Sequence, residues 1–121
     1  MRKVLLPRFI LASFLPAHAG AKVERDVVYG MYSGLALLMD VYESEKPNGY
    51  AIVHATGTGW HDQLGYVATP PKASDQVTVS GGPLVEAGYT LFALNHREAP
   101  RFRHPAALED IQRAVRFVRY H

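Results

Sequence analysis

A glycine-rich loop, Ala55-Thr56-Gly57-Thr58-Gly59-Trp60, is the segment of this sequence best suited to chemistry. It follows a short apolar run at residues 50–53, which predicts a strand covered on both faces. Glycines at such a turn let backbone N–H groups approach a ligand without interference from side chains. Those groups can hold a phosphate or stabilise the oxyanion of a tetrahedral intermediate. On local sequence alone, an ordinary tight turn remains an open alternative.

The phosphate interpretations fit this loop poorly. A P-loop requires a Gly-Lys-Ser/Thr sequence, which the loop lacks. The dinucleotide-binding fingerprint requires a small residue three positions after its second glycine, where this chain has Asp62. A nucleotide-binding Rossmann-like domain is therefore the weaker alternative to an oxyanion-binding loop.

The remaining reactive side chains form no recognisable site. The sequence has no cysteine, which excludes disulfides, thiolate catalysis and cysteine-based zinc sites. Its six histidines match no metal-ligand spacing, so we predict neither a metal nor a cofactor. Ser80, Asp110 and His121 follow the chain order of a catalytic triad, but no predicted strand, elbow and helix surround Ser80.

The elements around the loop predict an α/β fold. Two β-rich runs at residues 25–29 and 35–42, separated by Gly30 to Gly34, are typical of a hairpin in which both glycines take positive φ. After the loop come a long polar stretch at 61–75, a short helical turn at 83–87 and a second buried strand at 90–94. A strand, helix and strand in this order predict a parallel crossover. The fold class is therefore an N-terminal β-hairpin followed by parallel βαβα units.

The last predicted element is a helix that Pro105 opens. Four apolar residues recur at helical spacing and predict its buried stripe: Leu108, Ile111, Val115 and Val118. Asp110 in this helix and Arg97 before it are expected to form a structural salt bridge. No capping glycine or return strand follows the helix, which favours a chain that is the truncated, N-terminal part of a longer domain.

Taken in order, these motifs resemble the N-terminal portion of the α/β-hydrolase fold, in the carboxylesterase and lipase branch related to hormone-sensitive lipase and to acetyl-xylan and feruloyl esterases. The family's His-Gly-Gly-Gly-Trp loop corresponds to residues 56–60, and its Ala-Gly-Tyr to residues 87–89. Its Asp-Tyr-Arg corresponds to Asn95-His96-Arg97. Its Ala-Pro and Pro-Ala-Ala-Leu-Glu-Asp segments correspond to residues 99–100 and 105–110. The resemblance covers residues 25–120.

The resemblance implies a serine ester hydrolase whose oxyanion hole is formed by the backbone N–H groups of Thr58 and Gly59. The rest of the oxyanion loop is Thr56, Gly57 and Trp60, and the substrate pocket includes His61 and Tyr66. Two positions depart from the family pattern. Thr56 replaces the motif's histidine, and Thr58 replaces its middle glycine, where a β-branched side chain resists unusual φ values. Trp60 has a second interpretation, as a cap on the core.

The resemblance also implies that residues 20–121 lack the catalytic machinery. The family's nucleophile lies in a Gly-x-Ser-x-Gly elbow after the helix containing Ile111, and its acid and histidine come later still. The chain alone is therefore expected to be inactive, with small-molecule esters as substrates of the full-length protein. The alternative is a non-catalytic binding module on the same scaffold.

The N-terminus and the charge bear on location and partners. Arg2 and Lys3, an apolar run and Ala17-His18-Ala19 predict a signal peptide at residues 1–19. The expected location is secreted or periplasmic, or cytoplasmic if the leader is not a signal peptide. A net charge of +2 over 121 residues does not favour nucleic acid, and no membrane association is expected after leader removal. The strand at residues 50–53 is expected to expose an open edge, which favours self-association.

Overall fold

The computed structural model describes residues 21–61 and 69–121. The predicted signal peptide and Tyr66 lie outside the described residues. Within them the element order is a hairpin, a strand, a helical segment, a strand and a long helix, which confirms the predicted α/β class.

The N-terminal hairpin consists of β1 (Lys22–Tyr32) and β2 (Leu35–Glu43), paired antiparallel. It is longer than predicted because two register shifts let β1 continue through Gly30. The tight turn is at Ser33 and Gly34, which have φ values of 45° and 82°. Gly30 was therefore wrongly placed in the turn. A Cβ there would lie 2.5 Å from Cδ of Arg113, so this glycine allows the final helix to approach.

Four strands form one sheet in the order β1-β2-β4-β3. β3 (Ala51–His54) and β4 (Thr90–Leu94) pair in parallel, as the sequence predicts, and β4 pairs antiparallel with β2. β3 therefore lies at one edge of the described sheet. Parallel strands place their carboxyl ends at the same side of a sheet, so the segments that follow β3 and β4 are neighbours.

The connection between β3 and β4 contains more helix than predicted. A short 3₁₀ turn covers Pro71–Ala73 and a π-helical turn covers Val77–Gly81, leading into α1 (Gly82–Glu86). The predicted long loop thus ends earlier, and the helical segment begins near Asp75 rather than at Pro83. β-branched residues and two glycines hide this helix in the sequence, because both residue types disfavour helix interiors.

Helices cover both faces of the sheet. On one face, β4 and the segment preceding it form a small core: Val77, Val85, Leu91 and Ala93. On the other face, the sheet packs against α2 (Ala106–Tyr120) through a larger core: Tyr29, Leu37, Met39, Val41, Leu94 and Ala114. The alternation of β4 side chains between the two cores fits a strand buried on both faces.

The buried stripe of α2 differs from the predicted one. Its buried residues are Ala106, Asp110 and Ala114, whereas Leu108 is 48 % exposed. Ile111 does pack against the core, while Val115 and Val118 are only half-buried. The helix is rotated because Asp110 faces inward to bind Arg97 and the small Ala114 meets the sheet.

The predicted pair of Arg97 and Asp110 is confirmed as a buried structural ion pair. Arg97 Nη2 lies 2.8 Å from Asp110 Oδ1, and the Arg97 backbone N–H donates to Asp110 Oδ2 at 2.8 Å. The guanidinium carbon also lies 3.8 Å from the ring centroid of Tyr32. This cluster ties the hairpin and the start of α2 to the segment after β4. None of the described helices is long and apolar enough to cross a membrane.

Candidate functional site

The glycine-rich loop starts at the carboxyl end of β3 and runs beside the segment that follows β4. Backbone contacts join the two, because Ala99 N–H donates to Trp60 O at 2.8 Å and His61 forms a parallel bridge with Ala99. The left-handed conformations in the loop fall on Gly59 (φ 66°) and Trp60 (φ 65°). Thr58 takes no positive φ, so its β-branched side chain does not oppose the shape of the loop.

The loop is anchored on one side by Thr56. This residue is buried, and its hydroxyl donates to the carbonyl oxygen of Pro71 at 2.7 Å and lies 3.3 Å from Ser74 Oγ. In the resemblance given above, Thr56 corresponds to the motif's histidine. Here it ties the start of the loop to the 3₁₀ turn and its C-terminal end.

The backbone N–H groups of Gly57, Thr58 and Gly59 differ in whether they already form a hydrogen bond within the protein. Gln76 Oε1 accepts the Gly57 N–H at 3.0 Å, and Gln76 Nε2 donates to Gly57 O at 3.1 Å. Among the described residues, no hydrogen-bond partner is found for the N–H groups of Thr58 and Gly59. The two predicted oxyanion donors, Thr58 and Gly59, are therefore among the loop amides that the described residues leave without a partner.

Thr58 also contacts a buried carboxylate through its side chain. The Thr58 hydroxyl donates to Glu98 Oε1, and the Glu98 side chain is only 2 % exposed. His96 is equally buried, with its Nδ1 at 3.5 Å from the same carboxylate oxygen. Neither ring nitrogen of His96 has a hydrogen-bond partner among the residues the structure describes.

Trp60 and His61 lie at the outer side of the loop. The Trp60 ring centroid is 5.6 Å from that of His96, but the residue is 54 % exposed. The alternative interpretation of Trp60 as a core cap is therefore wrong. His61 is held by a contact of 2.8 Å between its Nδ1 and Gly59 O.

Two cavities flank the loop. A polar cavity of about 390 Å³ is lined by side chains from the loop, the helical connection and the segment after β4: Thr56, Thr58, His61, Ser74, Asp75, Gln76 and Glu98. A second cavity of about 380 Å³ is mostly apolar, and Trp60, Phe102, Ala107 and Leu108 supply its apolar lining. His61 and Glu98 line both. The exposed Leu108 of α2 thus faces a cavity rather than the core.

The 3₁₀ turn that anchors Thr56 is itself held by a charge cluster in which Lys72 and Asp40 are buried, whereas Arg25 and Asp26 are exposed. Lys72 Nζ lies 2.7 Å from Asp40 Oδ1 and 2.9 Å from Asp26 Oδ1, and Arg25 Nη1 lies 2.7 Å from Asp40 Oδ2. Burial alone raises the pKa of the Asp40 carboxyl, but hydrogen bonds from Lys72, the Asp26 amide and Arg25 outweigh it and lower that pKa. Burial likewise opposes the charge on Lys72, yet its carboxylate partners raise the pKa of the ammonium group.

Sequence reasoning missed Glu98, Gln76 and Lys72. Gln76 and Glu98 contact the loop from distant parts of the chain, and Glu98 is separated from Thr58 by 40 positions. Lys72 lies in the 3₁₀ turn that anchors Thr56 and holds this turn through distant carboxylates. Gln76 and Lys72 lie in the stretch that reads as an irregular loop. The sequence signal that could have found Glu98 is a charged residue in the segment that follows a buried strand at the carboxyl edge of the sheet. No group of three or more metal-ligating side chains occurs in residues 21–61 or 69–121.

Comparison with known proteins identifies related families. A family model described as BD-FAE matches residues 39–121, which is more than half of the chain. No curated protein sequence matches the chain significantly.

Solved structures with the same fold include several esterases. Esterase B from Lactobacillus rhamnosis shares 15 % identity at a TM-score of 0.60, over 84 % of this chain and 31 % of its own. The thermophilic esterase Est2 from Thermogutta terrifontis shares 23 % identity with a TM-score of 0.60, and the match covers 88 % of this chain and 36 % of the esterase. A hormone-sensitive lipase from a metagenome library shares 20 % identity with a TM-score of 0.58, and the match covers 82 % of this chain and 29 % of the lipase. The chain spans about a third of the length of these proteins.

Proposed function

The chain belongs to the BD-FAE family, which is related to the α/β-hydrolases, and from this premise we propose that it supplies the oxyanion loop and part of the substrate pocket of a serine carboxylic-ester hydrolase. The observation that carries the proposal is that the Thr58 and Gly59 amides, which have no hydrogen-bond partner among the described residues, follow the carboxyl end of a parallel strand and lie beside two cavities.

The chemistry follows from where negative charge develops. When a nucleophile attacks an ester carbonyl, the carbonyl oxygen becomes an oxyanion in the tetrahedral intermediate. The Thr58 and Gly59 N–H groups donate to that oxygen, and each such donor stabilises the transition state by about 3 kcal/mol. The apolar cavity beside Trp60 and Leu108 holds an apolar part of the ester.

The nucleophile is proposed to come from polypeptide outside these residues. Among the described residues, no serine hydroxyl forms a hydrogen bond with a histidine. Ser80 lies exposed in the π-helical turn. The catalytic serine, acid and histidine are therefore assigned to the remainder of a domain of the length seen in the solved esterases.

An NMR titration of the ¹⁵N-labelled chain tests the oxyanion loop. Butylphosphonate is the probe, because its tetrahedral anion resembles the charge of the intermediate. The amide resonances of Thr58 and Gly59 should shift in a saturable manner. The Gly57 amide, which already donates to Gln76, is the internal control and should shift far less. Shifts that are absent or spread evenly over the surface would contradict the proposal.

Activity distinguishes a hydrolase segment from the alternative, a binding module. The purified 121-residue chain should show no turnover of p-nitrophenyl butyrate above buffer. The DNA downstream of the codon for His121, translated in all frames, should contain a Gly-x-Ser-x-Gly motif within about 50 residues. Hydrolysis by the chain alone would show that it contains a nucleophile, and a downstream sequence without the motif would favour the binding module.

The edge strand β3 is proposed to pair with further polypeptide. Its outer edge carries backbone groups without a neighbouring strand in the described sheet, and Ala51 is exposed. The isolated chain should therefore self-associate, with a sedimentation coefficient that rises with concentration. A strictly monomeric chain at high concentration would argue against this.

The signal peptide predicted at residues 1–19 is the basis for proposing that the protein is exported. Signal peptidase cleavage after Ala19 would leave Gly20 as the new N-terminus. Mass spectrometry of the protein expressed with its leader in a bacterial host should find this terminus in the periplasmic or culture fraction. An intact Met1 terminus in the cytoplasmic fraction would contradict it.

A further inference from the structure

The oxyanion loop carries a threonine with its own buried partner where the related esterases have glycine. Thr58 is flanked by Gly57 and Gly59, which impose little restraint on the backbone. Its hydroxyl donates to Glu98 Oε1. This hydrogen bond joins a side chain of the loop to the segment after β4, at the residue whose amide is open to a ligand.

Glu98 is held firmly enough to act as an anchor. Its side chain is 2 % exposed, and the next residue, Ala99, binds the loop through its N–H to Trp60 O. The preceding residue, Arg97, is fixed by the buried ion pair with Asp110. The Glu98 carboxylate therefore has a defined place against which Thr58 is oriented.

We propose that Glu98 is a positioning residue for the oxyanion loop, acting through the Thr58 hydroxyl to aim the Thr58 and Gly59 N–H groups at the developing oxyanion. This inference rests on the proposed function. Oxyanion donors act only when they lie about 2.7–3.1 Å from the oxygen, so a loop with two glycines gains from a restraint on the residue between them. The threonine at the family's glycine position is thus part of the site.

Glu98 acts as a hydrogen-bond acceptor rather than as a charge. A carboxylate next to an oxyanion repels it, so the negative charge of Glu98 opposes the binding of an anion. The amide oxygen of a glutamine accepts the same hydrogen bond without that charge. Glu98→Gln should therefore preserve or improve anion binding, whereas Glu98→Leu should impair it. If the charge of Glu98 were what the loop needs, both variants would lose anion binding to the same extent.

The butylphosphonate titration of the full chain tests this proposal, with the dissociation constant measured at the Thr58 and Gly59 resonances. Thr58→Val, which keeps the shape of the side chain but removes the hydroxyl, should weaken binding about tenfold. Thr58→Ser should bind within about twofold of the wild type, because it keeps the donor. Glu98→Leu should bind more weakly than the wild type and than Glu98→Gln, because it removes the acceptor that orients Thr58. Unchanged α2 resonances in each variant verify that the fold is intact.

A double variant separates action through Thr58 from other effects. If Glu98 acts only through that hydroxyl, Thr58→Val/Glu98→Leu should bind no more weakly than Thr58→Val alone. Additive losses, or wild-type binding by Thr58→Val, would overturn the positioning role while leaving the oxyanion loop intact. If the wild-type Thr58 and Gly59 amides do not respond to the phosphonate, the proposed function itself fails and the positioning role fails with it.

Discussion

Four consecutive residues after β4, from Asn95 to Glu98, divide between two environments. Asn95 and Arg97 are fully engaged, since Asn95 Oδ1 accepts the Lys72 N–H and Arg97 binds Asp110. His96 and Glu98, beneath the glycine-rich loop, have few partners, and both nitrogens of His96 have none among the described residues. Buried polar groups are normally paired, so the contrast separates the polar contacts that hold the fold from those reserved for a site.

The largest loss of unfolding free energy is expected at the buried ion pair of Arg97 and Asp110. Arg97→Met should destabilise the chain by about 3–5 kcal/mol, because it leaves the fully buried Asp110 with little beyond a backbone N–H for its charge. Urea unfolding followed by circular dichroism measures this loss. Glu109→Gln is the matched control, since the Glu109 side chain is 55 % exposed and its contact with Arg97 should contribute less than about 1 kcal/mol. Equal losses of unfolding free energy in the two variants would show that the buried pair with Asp110 stabilises the fold no more than the exposed contact with Glu109.

A smaller, pH-dependent effect is expected at the Asp40 cluster. The pKa of Asp40 is lowered from 3.8, so its contribution to stability is complete above that pH and is lost as the pH falls below it. The pKa of Lys72 is raised from 10.5, so its contribution is lost only as the pH rises above that value. Asp40→Asn should cost about 1–3 kcal/mol at pH 7 and flatten the acid limb of the stability curve. Unfolding free energies at pH 3, 7 and 10 check this, and an unchanged acid limb would contradict it.

The smallest change in unfolding free energy is expected at His96. His96→Phe should change the unfolding free energy by less than about 1.5 kcal/mol, because no protein hydrogen bond to the described residues is lost and the ring still meets Trp60. The same urea titration provides the measurement. A loss comparable to that of Arg97→Met would mean that His96 belongs to the paired framework and that the two environments do not differ.

The sheet and its order of elements could be predicted because local patterns set them. The apolar runs that become β3 and β4 are short and continuous, and the helical spacing after Pro105 is strong. The orientation of α2 could not be predicted, because Leu108 and Ala114 are both apolar and the choice between them depends on the burial of the Asp110 and Arg97 pair. The sequence predicts that pair but not its burial. The role of Gly30 was also hidden, because this glycine allows a close approach by Arg113, which is distant in sequence.

Only the backbone part of the candidate site, the glycine-rich loop, could be predicted from the sequence. The glycines locate a loop with available N–H groups, and the proposed donors, Thr58 and Gly59, follow from the family resemblance. The side chains that hold the loop could not be found in the same way. Gln76 and Glu98 reach it through the tertiary structure, and Thr56 holds the start of the loop through a hydrogen bond to the carbonyl oxygen of Pro71.

The placement of Trp60 gives the loop an optical reporter of its own. It is the single tryptophan of the chain, it is about half exposed, and its indole lies against the imidazole of His96. Fluorescence excited selectively in the indole band therefore comes from this one turn of the backbone. Emission wavelength and quenching then follow events at the loop in unlabelled protein.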